Sequence, residues 1–126
     1  MSLILSIAAG GVLGAIGRYL TMDGINHWLG YASPYATLSV NVIGSFFLGS
    51  VISVMSVMWS SSEEIKGFLI IGLLGSFTTF SAFSSDVINL IEQGEFLYAS
   101  LYVIVSVVFS VIALFFGMSL FRYLLT

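Results

Sequence analysis

The chain has 126 residues, of which 59% are hydrophobic and only 7% are charged. Soluble domains carry roughly 25% charged residues, so this composition excludes a soluble globular protein. The formal net charge of −3 is spread thinly and supports neither a nucleic-acid partner nor a basic membrane-surface patch. With no cysteine, disulfides and thiolate metal sites are excluded. The sequence therefore predicts an all-α integral membrane protein.

Charged and turn residues divide the chain into four apolar segments, each close to the roughly 20 residues that a membrane-spanning helix needs. The N-terminus lacks the basic start of a cleavable signal peptide, so the first segment is interpreted as a retained helix. Pro34 marks the start of the second helix, and the polar cluster at 60–64 ends it and caps the third. A polar turn at 92–95 precedes the fourth. The predicted spans of this single transmembrane domain are about 2–22, 35–58, 65–91 and 96–123.

Basic residues do little to specify how the chain is oriented in a membrane. Four spans place both termini on one side, together with Lys66 and Arg122, whereas Arg18 near the end of the first span belongs to the other side. Such a small excess is a weak positive-inside signal. The chain is therefore expected to insert both ways up, which makes an antiparallel dimer natural.

Polar residues recur every four positions in two spans, and so lie on one helical face in each. They are Thr37, Asn41 and Ser45 in the second span, and Tyr102, Ser106 and Ser110 in the fourth. One interpretation is a pair of polar stripes along a pathway; the other is hydrogen bonding between packed helices. For Asn41, whose amide has two N–H donors at mid-depth in the membrane, the functional interpretation is favoured.

Glycines in the first two spans favour close helix packing. Gly10, Gly14 and Gly17 follow the small-xxx-small pattern, and Gly44 and Gly49 lie in the second span. Small residues of this kind allow the backbones of two membrane helices to approach closely.

The third span is unusual, because two glycines and six hydroxyl residues crowd positions 72–86. Glycine and hydroxyls that bond back to the helix weaken it locally, so either a break or an unbroken polar packing helix fits. A break would free backbone carbonyls that can coordinate a cation. Within this stretch, Phe80 and Phe83 are three residues apart. An aromatic ring has a positive edge that can meet a small anion.

Three motifs resemble those of the Fluc (CrcB) fluoride channels. The run Thr-Thr-Phe-Ser-Ala-Phe-Ser at 78–84 resembles the family's TTFSTFS signature. Residues 14–19 resemble its first-span G-x-x-x-R-Y ending, and residues 37–44 its second-span TL-x-x-N-x-x-G. Length and the four-span layout also agree, so the resemblance covers essentially the whole chain.

The resemblance implies an antiparallel, dual-topology homodimer with two fluoride pores in a bacterial cell membrane, where it exports fluoride and is not an enzyme. It implies a break in the middle of the third span, a structural Na⁺ held there at the dimer centre by the backbone carbonyls of Gly75 and Thr78, and Arg18 at a vestibule, where its charge favours anions. The implied pore residues are Phe80, Phe83, Asn41, Ser81, Ser84, Thr37, Ser110 and Tyr102.

Two residues depart from the family's motifs. Ala82 replaces the threonine common in the signature, and Ala36 stands where a glycine commonly precedes the second-span threonine.

Three rival functions are considered. A small dual-topology, proton-coupled multidrug transporter would need an intramembrane carboxylate, for which Asp86 is the deepest candidate. A non-conducting scaffold or channel partner is the second rival. An enzyme is the third, but no nucleophile–base pair or metal cluster is present, and His27 stands alone beside Trp28.

Overall fold

A computed structural model describes residues 1–57 and 61–126, and in those ranges all regular structure is helical. The elements are α1 (Ser2–Leu29), α2 (Pro34–Val57), α3 (Glu63–Lys66), a π-helical segment (Gly67–Leu74), α4 (Gly75–Phe77), α5 (Phe80–Glu92) and α6 (Phe96–Leu125). Four stretches are long and apolar enough to cross a membrane: Ser2–Leu29, Pro34–Val57, Glu63–Glu92 and Phe96–Leu125. We call the third of these, Glu63–Glu92, span three.

Helix ends follow their capping residues. Pro34 is the first residue of α2, as predicted, and the Ser33 hydroxyl accepts a hydrogen bond from the Tyr35 amide at 3.0 Å. Ser62 caps α3 by accepting from the Ile65 amide at 3.3 Å. The predicted end of the second span near residue 58, and residue 60 of the predicted polar cluster, lie outside the described residues.

Helix α1 is longer than the sequence suggested. It ends at Leu29, not near residue 22, because it continues until Gly30, which adopts a left-handed conformation with φ of 85°. Asp23 does not end it, because an exposed aspartate inside a helix costs little. Arg18 therefore lies in the body of α1, not near its end.

Helices pack in two pairs through glycine. A Cβ added to Gly10 or Gly14 would overlap the carbonyls of Phe68 and Leu73 in the π-helical segment. A Cβ on Gly49 would overlap the carbonyl of Leu114 in α6. The predicted close approach at Gly10, Gly14 and Gly49 is confirmed, and the two pairs are α1 with the first half of span three, and α2 with α6.

Small and polar side chains fill the interior, and large apolar ones face outward. Ala36, Val40 and Ser53 are fully buried, and Thr37 is nearly so. Long runs of α6 expose phenylalanine, valine and isoleucine, as expected of a helix whose surroundings are lipid. Polar side chains such as Thr37, Thr79 and Ser106 are therefore held inside the bundle.

Candidate functional site

Span three is interrupted at its middle, where the residue pattern left open a break or an unbroken helix and the resemblance implied a break. Thr78 and Thr79 have extended backbone, with φ and ψ of −86° and 158° for Thr78 and −150° and 118° for Thr79. The Thr78 hydroxyl bonds back to the Leu74 carbonyl at 3.1 Å, and the Thr79 hydroxyl caps α5 by accepting from the Ala82 amide at 3.1 Å. Both threonines thus stabilise helix ends, not a continuous helix. We call residues 75–79 the break.

Side chains from two other helices hold the break. The Asn41 carboxamide in α2 accepts from the Thr79 amide at 2.7 Å and donates to the Thr79 carbonyl at 3.0 Å. The Arg18 guanidinium in α1 donates from Nε to the Ser76 carbonyl at 3.1 Å. Backbone groups that a break removes from their helix need such partners, because unpaired groups at membrane depth are costly.

Two carbonyls of the break have no backbone partner among the residues that the structure describes. Thr78 donates its amide to Leu74, and Thr79 donates its amide to Asn41, so neither amide reaches the Gly75 carbonyl. The Thr78 carbonyl would need a donor in the first turn of α5, where the Ala82 amide is taken by the Thr79 hydroxyl. These are the two carbonyls that the resemblance assigned to Na⁺.

Beside the break lies a groove with a cavity volume of about 340 Å³. One wall is polar and comes from α2, the break and α6; aromatic and aliphatic side chains form the rest. Among the lining residues are Asn41, Ser45, Thr78, Thr79, Phe80, Phe83, Ser106 and Ser110. Among the described residues that line it there is no carboxylate or basic side chain. We call this the phenylalanine groove.

The two phenylalanines occupy different positions in the groove. Phe80 is 77% exposed, whereas Phe83 is partly buried and packs against Tyr102 with ring centroids 5.4 Å apart. Their own ring centroids are also 5.4 Å apart, and the rings are inclined by 46°. Phe80 therefore projects outward from this chain, while Phe83 is held by α6.

A hydroxyl in the groove is buried without a partner. Ser106 is 5% exposed, and its Oγ has no hydrogen-bond partner within the described part of the chain. A buried unpaired hydroxyl is unfavourable, so a group that the described residues do not supply would be needed to satisfy it. Ser106 lies on the predicted α6 stripe but is absent from the eight pore residues that the resemblance implied.

A second, more polar cavity of about 540 Å³ lies between the C-terminal part of α1, the loop that follows it and the C-terminal half of α5. Thr37 and Asp86 are among its lining residues. Tyr102 stands between the cavities, because it packs on Phe83 and donates its hydroxyl to Asp86 at 2.8 Å. We call this the polar cavity.

The predicted pore residues are thus distributed unevenly. Asn41, Phe80, Phe83 and Ser110 line the phenylalanine groove, Thr37 lines the polar cavity, and Tyr102 joins the two. Ser81 lies at the break with its hydroxyl 3.2 Å from that of Thr79. Ser84 is exposed and belongs to the lining of neither cavity.

Comparison with known proteins places this architecture in a family. Residues 5–118 match the model described as CrcB-like protein, Camphor Resistance (CrcB). The chain belongs to this family. A fluoride-specific ion channel FluC of Rhodospirillum centenum is 49% identical over 122 residues, which cover 97% of each chain. The protein of the same name from Nitrobacter winogradskyi is 45% identical over 94% of each chain, and that from Geobacter sulfurreducens is 45% identical over 85% of this chain and 86% of its own.

Membership of the CrcB family confirms the resemblance drawn from the three motifs, which lie within the matched residues. It does not by itself assign roles to individual side chains. Those roles rest on the geometry of the break, the phenylalanine groove and the polar cavity.

Proposed function

We propose that this chain forms a fluoride-selective passive channel that exports fluoride across a bacterial cell membrane. The observation that carries the proposal is the phenylalanine groove, whose lining includes an exposed ring, Phe80, and Ser106, whose buried hydroxyl has no partner among the described residues. The similar proteins are named as fluoride-specific ion channels, which supports a channel and not an enzyme.

Fluoride is small and strongly hydrated, so a pore must replace its water with hydrogen-bond donors. Hydroxyls at Ser106 and Ser110 and the spare amide N–H of Asn41 supply such donors, and ring edges add positive potential. A fixed basic side chain would risk trapping the ion, and none lines the groove. Donors without charge bind the anion weakly enough for it to leave.

The proton-coupled transporter gains no support from the geometry. Its candidate, Asp86, lines the polar cavity and accepts a hydrogen bond from Tyr102. Among the described residues that line the phenylalanine groove, none has a titratable side chain. Passive flow driven by the membrane potential, negative inside, needs no coupling carboxylate and drives an anion outward.

The working unit is proposed to be an antiparallel homodimer. The phenylalanine groove is open on the outside of one chain, and polar groups at membrane depth must be covered by protein or water. Phe80, 77% exposed, is placed to reach a second copy. With three basic residues in the chain, orientation is weakly specified, which suits insertion both ways up. Tags on the C-terminus should be reached from both sides of the membrane; one-sided labelling of every copy excludes dual topology.

A structural Na⁺ would fit the break. Among the described residues the Gly75 and Thr78 carbonyls have no hydrogen-bond partner, oxygens are the ligand type that Na⁺ prefers, and an antiparallel partner would bring two more. The ion would supply positive charge to neutralise carbonyl dipoles that a broken helix leaves free. If Na⁺ is structural, the reversal potential of the fluoride current stays independent of the Na⁺ gradient; a reversal potential that follows this gradient indicates cotransport.

Liposome efflux tests the proposed function directly. Purified protein is reconstituted into liposomes loaded with potassium fluoride or potassium chloride, and a potassium ionophore sets the voltage. A fluoride or chloride electrode then follows release, with protein-free liposomes as the control. Fast fluoride release with chloride retained supports the channel. Retention of both ions, with protein that is folded and inserted, contradicts it and directs attention to Asp86.

A further inference from the structure

We propose that Arg18 is a positioning residue: its guanidinium holds the Ser76 carbonyl and thereby keeps span three broken in the geometry that the pathway needs. The proposal rests on the proposed channel function and departs from the expectation that Arg18 acts at a vestibule by attracting anions. It assigns to this charge a mechanical role within the protein.

The first step is the location of Arg18. It lies in the body of α1, and neighbouring turns of α1 contact the break, since Gly14 adjoins Ser76 and Gly17 adjoins the ring of Phe77. Ser76 is close to the centre of span three, which runs from Glu63 to Glu92. Arg18 therefore presents its charge to the middle of a membrane-spanning helix and not to a helix end.

The second step is its partner. A charged side chain at membrane depth is expensive unless it is paired. Within the described residues, no carboxylate lies within 4.0 Å of the Arg18 guanidinium, and the one ion pair joins Lys66 and Glu63. The recorded bond of Arg18 goes instead to a backbone carbonyl, that of Ser76, at 3.1 Å. The Arg18 guanidinium is therefore paired with the backbone of the break.

The third step is why this carbonyl is free. In a continuous helix, the Ser76 carbonyl would accept from the amide of Phe80, four residues later. Here Thr79 is extended and Phe80 begins a new helix, and no backbone donor in the described residues reaches Ser76. The Arg18 Nε–H replaces the donor that the break removed. Asn41 likewise supplies hydrogen-bond partners to the backbone N–H and carbonyl of Thr79.

The fourth step is the consequence of losing the clamp. A continuous helix through 75–79 would pair the Gly75 carbonyl with the Thr79 amide, which would then leave Asn41. It would also rotate Phe80 relative to the groove. Arg18 opposes this rearrangement because its Nε and planar guanidinium are already oriented, whereas the flexible lysine ammonium is a point charge. Charge alone is therefore insufficient, and the guanidinium is required.

Fluoride flux in two variants separates positioning from anion attraction. We expect Arg18→Lys and Arg18→Gln both to lower fluoride flux by about tenfold or more, at every fluoride concentration and ionic strength, since a hydrogen bond from a charged donor is lost in each. The control, Arg122→Gln, removes an exposed charge at the end of α6 and should conduct normally. An Arg18→Lys variant with wild-type flux, or an Arg18→Gln deficit that disappears at high salt, overturns the proposal in favour of anion attraction.

Hydrogen exchange gives a readout that does not depend on conduction. Peptides covering the break should exchange about tenfold faster or more in Arg18→Lys than in wild type or Arg122→Gln, because the break loses a charge-assisted bond. Unchanged exchange in the break overturns the clamp. If the wild-type protein conducts no fluoride, the proposed function fails, while this comparison still decides the role of Arg18.

Exchange of the arginine Nε–H groups can be measured in the wild-type protein, so the result does not depend on how well a variant folds. Arg18 and Arg122 are the two arginines of the sequence, so ¹⁵N labelling of arginine gives two Nε–H signals, which Arg122→Gln assigns. The Arg18 Nε–H, bonded to Ser76, should exchange with water much more slowly than the exposed Arg122 Nε–H. Equal exchange rates for the two signals contradict a stable bond to the break.

Discussion

The contact between α2 and α6 and the break in span three solve opposite problems. In the first, Gly49 and Gly117 bring two backbones so close that an added Cβ would overlap the Leu114 or Phe46 carbonyl. In the second, Asn41 and Arg18 reach across from other helices and hold a backbone open. One region has no space for a side chain; the other has a groove and oxygens that are unpaired within the described part of the chain.

The contrast between the α2–α6 contact and the break indicates that different regions of this small bundle provide stability and function. Glycine packing in membrane helices supplies van der Waals contact and hence the fold. Hydrogen bonds at the break stabilise a conformation that a helix would not otherwise adopt, so they supply a site. Substitutions in the first region should therefore lower stability, and those in the second should lower flux in a folded protein.

The largest effect is expected from Gly49→Ala. The new methyl group would meet the Leu114 carbonyl, so α2 and α6 must separate, and overpacking of this kind costs about 3 kcal/mol. The measurement is the temperature at which half of the detergent-solubilised protein loses its monodisperse elution. Gly24→Ala is the matched control, because nothing lies within 4 Å of its added Cβ. Equal temperatures for the two variants would show that the glycine contact does not carry the fold.

Phe80→Ile comes next and should lower fluoride flux by roughly 100-fold, because the pathway loses a positive ring edge that an aliphatic side chain cannot supply. Phe83→Ile should act similarly. Phe115→Ile is the control, since Phe115 is 69% exposed and outside the groove's lining. All three proteins should elute as wild type does. Wild-type flux in both groove variants contradicts the ring-edge role.

Asn41 allows the two functions of one amide to be separated, with an expected loss of flux of about tenfold. Asn41→Ala removes both bonds to Thr79, so flux falls and the Thr79 amide exchanges faster. Asn41→Asp keeps an acceptor for the Thr79 amide but adds a negative charge that repels fluoride. Flux should fall in both variants, with fast exchange only in Asn41→Ala. Fast exchange in Asn41→Asp as well would show that the acceptor does not hold the break.

Local signals predicted much of this architecture. The four spans and the start of α2 at Pro34 follow from apolar length and from proline at a first turn, which are properties of nearby residues. The break at Thr78 and Thr79 was only one of two outcomes that the glycine and hydroxyl residues allowed, and the family resemblance implied it. The predicted end of the first span near residue 22 is wrong, because α1 continues to its stop signal at Gly30.

Contacts between spans could not be predicted in the same way. Thr37 and Ser45 share a helical face, but they lie about 12 Å apart along it, and they line different cavities. That Asn41 bonds to Thr79, and Arg18 to Ser76, depends on how far each helix slides along its neighbour. The π-helical segment, Gly67–Leu74, likewise has no local signal that the sequence analysis detected.

Ser106→Ala should give the smallest change, yet its sign is informative. If the Ser106 hydroxyl has only a packing role, its removal should leave fluoride flux unchanged, because it has no hydrogen-bond partner in the described residues. If it donates to fluoride, flux should fall by a few-fold to about tenfold while thermal stability does not fall. Ser100→Ala, on the same helix with an exposed hydroxyl bonded to the Phe96 carbonyl, should change neither quantity. Reduced flux with undiminished stability would make the unpaired hydroxyl a ligand; reduced stability with normal flux would make it part of the packing after all.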